Sequence, residues 1–260
     1  MSISNLVLPS ALSIVRHKNG VLDFTDGKKF WQAEELAKMD EEKWIEKNWG
    51  EGKNPAPERQ WLCRQAIMTH GPMLEVAIGP GGGNLSPILN IAPSKEIVAN
   101  DIESRILDRW KTFLQSEQTG ANVSFAAFDV CNNPYKDNLF GAVSSSGGLS
   151  TILGDHGQAL KECARVLMTE GILISLEWVI SVESLASMPA GLKASLVYHP
   201  WLFNEWEPLF SSANLDVVSA KKIDRRLLDP SSNALAFDAA SYGAILEMDL
   251  VAILAIKRES

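Results

Sequence analysis

The chain is short of cysteine, of basic charge and of long apolar runs, and each shortage removes a class of function. Cys63, Cys131 and Cys163 are the only cysteines among 260 residues, scattered and odd in number. Neither a disulfide framework nor a zinc cluster is therefore expected, and the setting reads as reducing and cytoplasmic. Lys and Arg number 24 against 32 Asp and Glu, a formal charge of -8, and the isoelectric point lies near 5.1. Affinity for a phosphate backbone needs clustered cations that release counterions, so no nucleic-acid partner is expected. The one dense basic stretch, AKKIDRR, reads as a solvated edge. Glu177 interrupts one candidate membrane span, and Glu247 with Asp249 interrupts another, so none of membrane-spanning length is expected. The N-terminus shows no basic region ahead of its apolar patch and no cleavage site, so no secretory leader is expected either.

What the chain has is one glycine-rich turn in a telling place. In MLEVAIGPGGGNLSPIL, residues 73 to 89, Leu74, Val76 and Ile78 form a short apolar run of the kind buried in a parallel sheet. Gly79, Gly81, Gly82 and Gly83 follow and let the backbone turn with no Cβ in the way. The next segment reads as a helix, whose free N–H groups would face the crevice at the carboxyl end of the strand, where open α/β sheets bind ligands. A second apolar strand, Ile97 to Ala99, leads to Asp101. That acid lies about 20 residues beyond Gly79, the spacing at which a carboxylate meets ribose hydroxyls in a βαβ nucleotide site. A third strand, Val123 to Phe128, is capped by Asp129, and a fourth, in FGAVSSSGGLSTI, ends in small residues. Polar or glycine groups at successive strand ends would gather along one edge of the sheet.

One rival reading, an NAD-dependent reductase binding a dinucleotide, is disfavoured by two residues. From Gly79 the chain reads Gly-Pro-Gly-Gly-Gly-Asn, so Asn84 replaces the third glycine of the dinucleotide fingerprint. Glu75 beside the loop would repel a pyrophosphate and attract an ammonium. S-adenosylmethionine carries such an ammonium and no phosphate, whereas an NAD-dependent reductase fits neither residue.

These motifs, in this order, resemble those of the class I S-adenosylmethionine-dependent methyltransferases over roughly residues 60 to 258. LEVAIGPGGG is similar to the first motif, which places Glu75, Ala77, Gly79 and Gly81 against the cofactor, with Ala77 standing where the family more often has glycine. VANDIES implies Asp101 on the ribose and Ile102 on the adenine. AAFDV implies Asp129 on the adenine amino group and the Val130 backbone on the ring nitrogen. The small residues after the fourth strand, Ser145 and Ser146, complete the implied cofactor set, and no metal is implied. Gly141 replaces the family's usual aspartate, and no acidic Pro-Pro-aromatic tetrapeptide of amino-methylating nucleic-acid enzymes is present.

The implied fold is α/β: a doubly wound, mostly parallel, seven-stranded Rossmann-like sheet with an antiparallel C-terminal strand, plus a small N-terminal cap. Residues 1–60 would be the cap, with a hairpin at Asn19-Gly20 and a helix holding Trp31, Leu36, Trp44 and Ile45; its tryptophans either seal a helix or line a pocket. Residues 61–260 would be the catalytic domain, with a substrate lid at about 181–206. Arg59 or Arg64 could reach the methionine carboxylate. His156 and His199 are the candidate proton acceptors; Glu177, Tyr198 and Trp201 are the candidate substrate contacts. The expected activity is methyl transfer to an O, N or C nucleophile of a small molecule, by a monomer or homodimer. Its rivals are a non-catalytic S-adenosylmethionine-binding partner or regulator, and a methyltransferase acting on protein or RNA.

Overall fold

The computed structural model describes residues 6–13, 15–152, 154–195, 199–231 and 234–259. Its strands are β1 (Arg16–Lys18), β2 (Val21–Asp23), β3 (Met73–Glu75), β4 (Ile97–Asp101), β5 (Val123–Ala127), β6 (Phe140–Ser146), β7 (Leu167–Ile180), β8 (Leu215–Leu227) and β9 (Glu247–Lys257). They form one sheet in the order β1-β2-β5-β4-β3-β6-β7-β9-β8. The run from β5 through β4, β3 and β6 to β7 is parallel, and β9 lies antiparallel between β7 and β8. This is the expected doubly wound α/β sheet with its antiparallel end.

Two strands come in addition. The hairpin at Asn19-Gly20 forms, with φ of 52° and 76° at its two central residues, as the primed hairpin turn requires. It joins the main sheet, because β2 pairs in parallel with β5. Among the described residues the sheet therefore has nine strands.

The helices are α1 (Pro9–Leu12), α2 (Ala33–Glu41), α3 (Trp44–Gly52), α4 (Pro57–Met68), α5 (Leu85–Ile91), α6 (Ser104–Ser116), α7 (His156–Val166), α8 (Val182–Ser187), α9 (Ala190–Ser195), α10 (Glu207–Ser212) and α11 (Ala234–Ser241). Side chains alternate across each strand, and the two faces bury separate cores. Met73, Ala99, Phe125 and Leu176 pack under α2 to α6; Leu74, Val98, Ala126 and Val143 pack under α7 and α10. The single helix expected through Trp31 to Ile45 is two helices. Lys43, at φ 54°, turns the chain between α2 and α3, and its N–H closes on the Asp40 carbonyl. Trp49 packs into a ring cluster with Trp110 and Phe113, so it seals α3 onto α6, whereas Trp61 is 43% exposed.

The last antiparallel pair is longer than its apolar residues suggested. β8 continues to Leu227 through two bulges, and AKKIDRR is part of this edge strand. Its Arg225 pairs with Asp249, Glu183 and Glu247, charged decoration of the kind that blunts an open edge.

Candidate functional site

The glycine-rich loop is shaped by what presses on it. Ala77, Gly79, Gly82 and Gly83 all have positive φ. At Gly83 an added Cβ would lie 2.1 Å from Glu75 Oε1, and at Gly82 it would lie 2.4 Å from the Trp110 ring. Only glycine fits at either place. Trp110 also donates its indole N–H to the Gly79 carbonyl at 2.8 Å, pinning the loop to α6. Gly81, at the tip, is exposed. Ala77 holds φ 50° without glycine's freedom, a strained left-handed conformation for a residue with a side chain.

Glu75, at the end of β3, is fully buried. Its Oε1 accepts the Asn84 backbone N–H at 2.8 Å, while Oε2 has no hydrogen-bond partner among the described residues. Burial pushes its pKa up to about 7; the nearby Ser144 hydroxyl, the Asn84 amide and the Arg59 charge pull it down without cancelling the effect. Asp101, at the end of β4, accepts the Gly79 N–H at 2.8 Å on one oxygen and the Glu103 N–H at 2.9 Å on the other. Burial raises its pKa despite those bonds. Asp129, beyond β5, is exposed; one oxygen caps the following turn by accepting the Cys131 N–H at 2.9 Å. Val130 is buried and Ile102 is half-buried. Since β3, β4 and β5 are parallel neighbours, with Glu75 opposite Ala99 and Asp101 opposite Ala127, the three carboxylates share one sheet edge with the loop.

Four residues hold this edge together, and two of them, Asn100 and Glu103, the motif reading passed over. Asn84, noted only as a missing glycine, donates its side-chain amide to Ser144 Oγ at 2.9 Å and to the Ser145 carbonyl, and its Oδ1 accepts the Arg59 Nε–H at 2.9 Å. Arg59 also donates to the Gly83 carbonyl at 2.5 Å. Asn100 accepts the Ala77 N–H and donates to the Ala126 and Phe128 carbonyls, tying loop, β4 and β5 into one unit. Glu103 accepts the Phe30 and Trp31 N–H groups and pairs with Arg105. Burial works against its charge, but those hydrogen bonds prevail and hold it down to about 2. A polar residue at the end of a buried strand was the available signal for Asn100.

The other half of the edge is different. Glu177 is fully buried. Its Oε1 accepts the Ser145 and Ser175 hydroxyls at 3.1 and 2.7 Å, and its Oε2 accepts the Ser150 N–H at 3.1 Å. Burial raises its pKa against these bonds. The carboxylate thus points into the protein and fastens the turn after β6, so it does not offer itself to a substrate. Ser145 is buried and fully engaged, also accepting the Leu149 N–H; Ser146 is half-buried at the strand end.

His156 and His199 meet, their ring centroids 4.3 Å apart. His156 Nδ1 lies 3.1 Å from the Leu149 carbonyl, and His199 Nδ1 accepts the Leu202 N–H at 3.3 Å, which requires that nitrogen to be unprotonated. Burial, then the charge of His156, lowers the His199 pKa. Trp201 is not a pocket wall: it is fully buried, stacked on Trp206 and set edge-on to Phe210. Tyr198 lies outside the described residues.

A cavity of about 260 Å³ opens between α4 and the β7-β9-β8 part of the sheet, lined by Arg59, Ser146, Leu176, Trp178, Ile223 and Leu250 among others. Neither histidine lines it, nor does Glu177. Among the described residues there is no cluster of side chains able to hold a metal ion, and no helix is long and apolar enough to cross a membrane.

Residues 76–175 match the family described as methyltransferase domain. The chain is similar to the ubiquinone/menaquinone biosynthesis C-methyltransferase UbiE of Hahella chejuensis, 30% identical over 121 residues, or 46% of this chain and 48% of that protein. The counterpart from Pseudomonas paraeruginosa is 30% identical over 115 residues, 44% of each. The chain thus spans about half the length of the curated relatives it matches. Among solved structures, a putative methyltransferase from Bacillus halodurans superposes with a TM-score of 0.59 at 14% identity, covering 77% of this chain and 99% of that one. Geranyl diphosphate C-methyltransferase from Streptomyces coelicolor, solved with S-adenosyl-L-homocysteine, gives 0.56 at 12% identity over 76% and 78%. At such identities the structural matches speak for the fold.

Proposed function

We propose that the chain is a class I S-adenosylmethionine-dependent methyltransferase, an enzyme moving a methyl group from S-adenosylmethionine to a nucleophile of a small molecule, a reading supported by the methyltransferase-domain match and the C-methyltransferase relatives. The observation that carries this reading is the bare, buried Oε2 of Glu75 beside a loop in which no side chain fits at Gly83. A buried carboxylate oxygen without a donor is costly, and a ligand ammonium is the group that would relieve it.

The residues present fit the cofactor. Glu75 would hold its ammonium, and the Ala77, Gly79 and Gly81 backbone its amino-acid portion. Asp101 keeps unused lone pairs for the ribose hydroxyls. Ile102 and Val130 would enclose the adenine, with Asp129 on its amino group, and Ser145 and Ser146 would close the site from β6. When bound, the cofactor supplies a methyl group on a sulfonium, which needs an aligned nucleophile and dry surroundings. The relatives' name as C-methyltransferases supports carbon as the atom methylated. His156 and His199 would hold the turn after β6 and not accept the substrate's proton, since both rings are engaged with backbone groups. The three unpaired cysteines support a cytoplasmic setting.

Calorimetric titration tests the reading. S-adenosylhomocysteine should bind with micromolar affinity and NADH should not; the reverse would overturn it.

A further inference from the structure

We propose that the cavity between α4 and the β7-β9-β8 part of the sheet is the substrate pocket, and that it takes a small, planar, apolar molecule that reacts as an anion. This rests on the methyltransferase reading above. Position comes first. Ser146, the last residue of β6, and Gly147 line the cavity, and β6 neighbours β3, which leads into the glycine-rich loop. Arg59, another lining residue, donates to the Gly83 carbonyl of that loop, so the cavity lies beside the edge that would hold the sulfonium.

Shape and polarity come next. Leu176, Trp178, Ile223 and Leu250 give an apolar wall, and the volume of about 260 Å³ sits just under the range common for drug-sized ligands, roughly 300–1,000 Å³. A ring of one or two fused cycles is the natural occupant. Trp178 is half-buried, and the Arg226 guanidinium lies over its ring with Cζ 3.9 Å from the centroid. A cation on one face draws electron density from the ring, so the other face favours an electron-rich partner.

The charge of the pocket decides the class. Among the described residues, Arg59 is its only charged lining residue. It is half-buried, its assigned hydrogen bonds go to the neutral Asn84 side chain and the Gly83 carbonyl, and no carboxylate lies within ion-pair distance of it among the described residues. Among the described residues, no carboxylate or histidine lines the cavity to accept a proton. An amine would arrive as a cation beside a cation, and a neutral acid would find no base. A phenolate, enolate or similar anion needs neither help. Its electron pair forms the new bond to the methyl carbon as the sulfur–carbon bond breaks, that pair returning to sulfur, and no proton has to leave before the transfer; a ring carbon methylated in this way sheds its hydrogen to water afterwards.

The test is a calorimetric titration of the full chain saturated with S-adenosylhomocysteine, using two probes of like ring and opposite charge, 2-naphthoate and 2-naphthylmethylamine. The naphthoate should bind at least about tenfold more tightly than the amine. Leu250→Trp, which fills the cavity, should abolish naphthoate binding and leave S-adenosylhomocysteine binding intact, and Arg226→Gln should weaken naphthoate by about two- to fivefold. If the amine binds as well as the naphthoate, if neither binds, or if Leu250→Trp changes nothing, the pocket proposal is overturned while the methyltransferase reading stands. Failure of S-adenosylhomocysteine itself to bind would instead remove the methyltransferase reading, and the pocket proposal with it.

Discussion

The turn after β3 and the turn after β6 both sit on a fully buried glutamate, Glu75 and Glu177, and the two are used in opposite ways. Glu177 accepts three hydrogen bonds on its two oxygens, two from hydroxyls of Ser145 and Ser175 and one from the Ser150 amide. Glu75 accepts one backbone bond on Oε1 and leaves Oε2 bare. A buried acceptor is satisfied where it serves the fold; one left unsatisfied in an otherwise well-bonded loop marks where a ligand completes the structure. The same comparison separates the two halves of the proposed site: the β3–β5 half would present carboxylates to a ligand, and the β6–β7 half consumes its carboxylate and lies beside an apolar cavity that Arg59 of α4 also lines.

The largest effect that should divide the two glutamates is on stability. Glu177→Leu strands the Ser145 and Ser175 hydroxyls and the Ser150 amide in the interior, and should cost about 3–5 kcal/mol in urea unfolding; a loss under 1 kcal/mol would mean the turn does not depend on it. Glu75→Gln should be far milder for the fold and should act on the cofactor, weakening S-adenosylhomocysteine by on the order of 10- to 100-fold, as expected for losing a bond between charged groups.

The pH dependence sharpens this. With its pKa raised from an ordinary 4.5 to about 7, folded Glu75 holds a proton that the unfolded chain has released. Stability of the ligand-free protein should therefore fall as pH rises from about 4.5 to 7 and level off above. An ammonium is matched only by the ionised form, so cofactor affinity should rise with pH through about 7. In Glu75→Gln the affinity slope should vanish in that window, and the stability slope should shrink but not disappear, since burial also raises the pKa of Asp101 and of Glu177; a persistent affinity slope would assign the proton elsewhere.

Smaller effects follow. His156→Gln should lower kcat by less than about tenfold, because the ring holds a turn; a loss of 10²–10⁴-fold with a shifted pH profile would restore it as a general base. Ala77→Gly should raise stability by up to about 1 kcal/mol, the relief of left-handed strain outweighing the added freedom of the unfolded chain; a loss would show that the methyl group packs usefully.

How far these halves could be read beforehand also differs. Glu75, the glycines and Asp101 announce themselves because their roles are local: a strand ends, a loop turns, and an acid follows at fixed spacing. The bonds of Asn84 and Asn100 join positions 60 and 23 residues away, and no local pattern encodes which strand ends will be neighbours. Glu177 looked like a substrate contact because a glutamate at a strand end is exposed unless a turn folds over it, and only the turn's backbone shows that it does. Trp201 looked like a wall and lies in the core, since its packing against Phe210 of α10 is set by the tertiary fold. Trp178 and Arg226 lie on different strands, and the sheet pairing alone stacks them.

The most direct measurement is the dissociation constant of S-adenosylhomocysteine for the natural chain and for Glu75→Gln at pH 8, where the carboxylate is ionised. The account predicts micromolar binding by the first and a loss on the order of 10- to 100-fold in the second. Equal affinities in the two proteins would show that the bare oxygen of Glu75 does not receive the ligand.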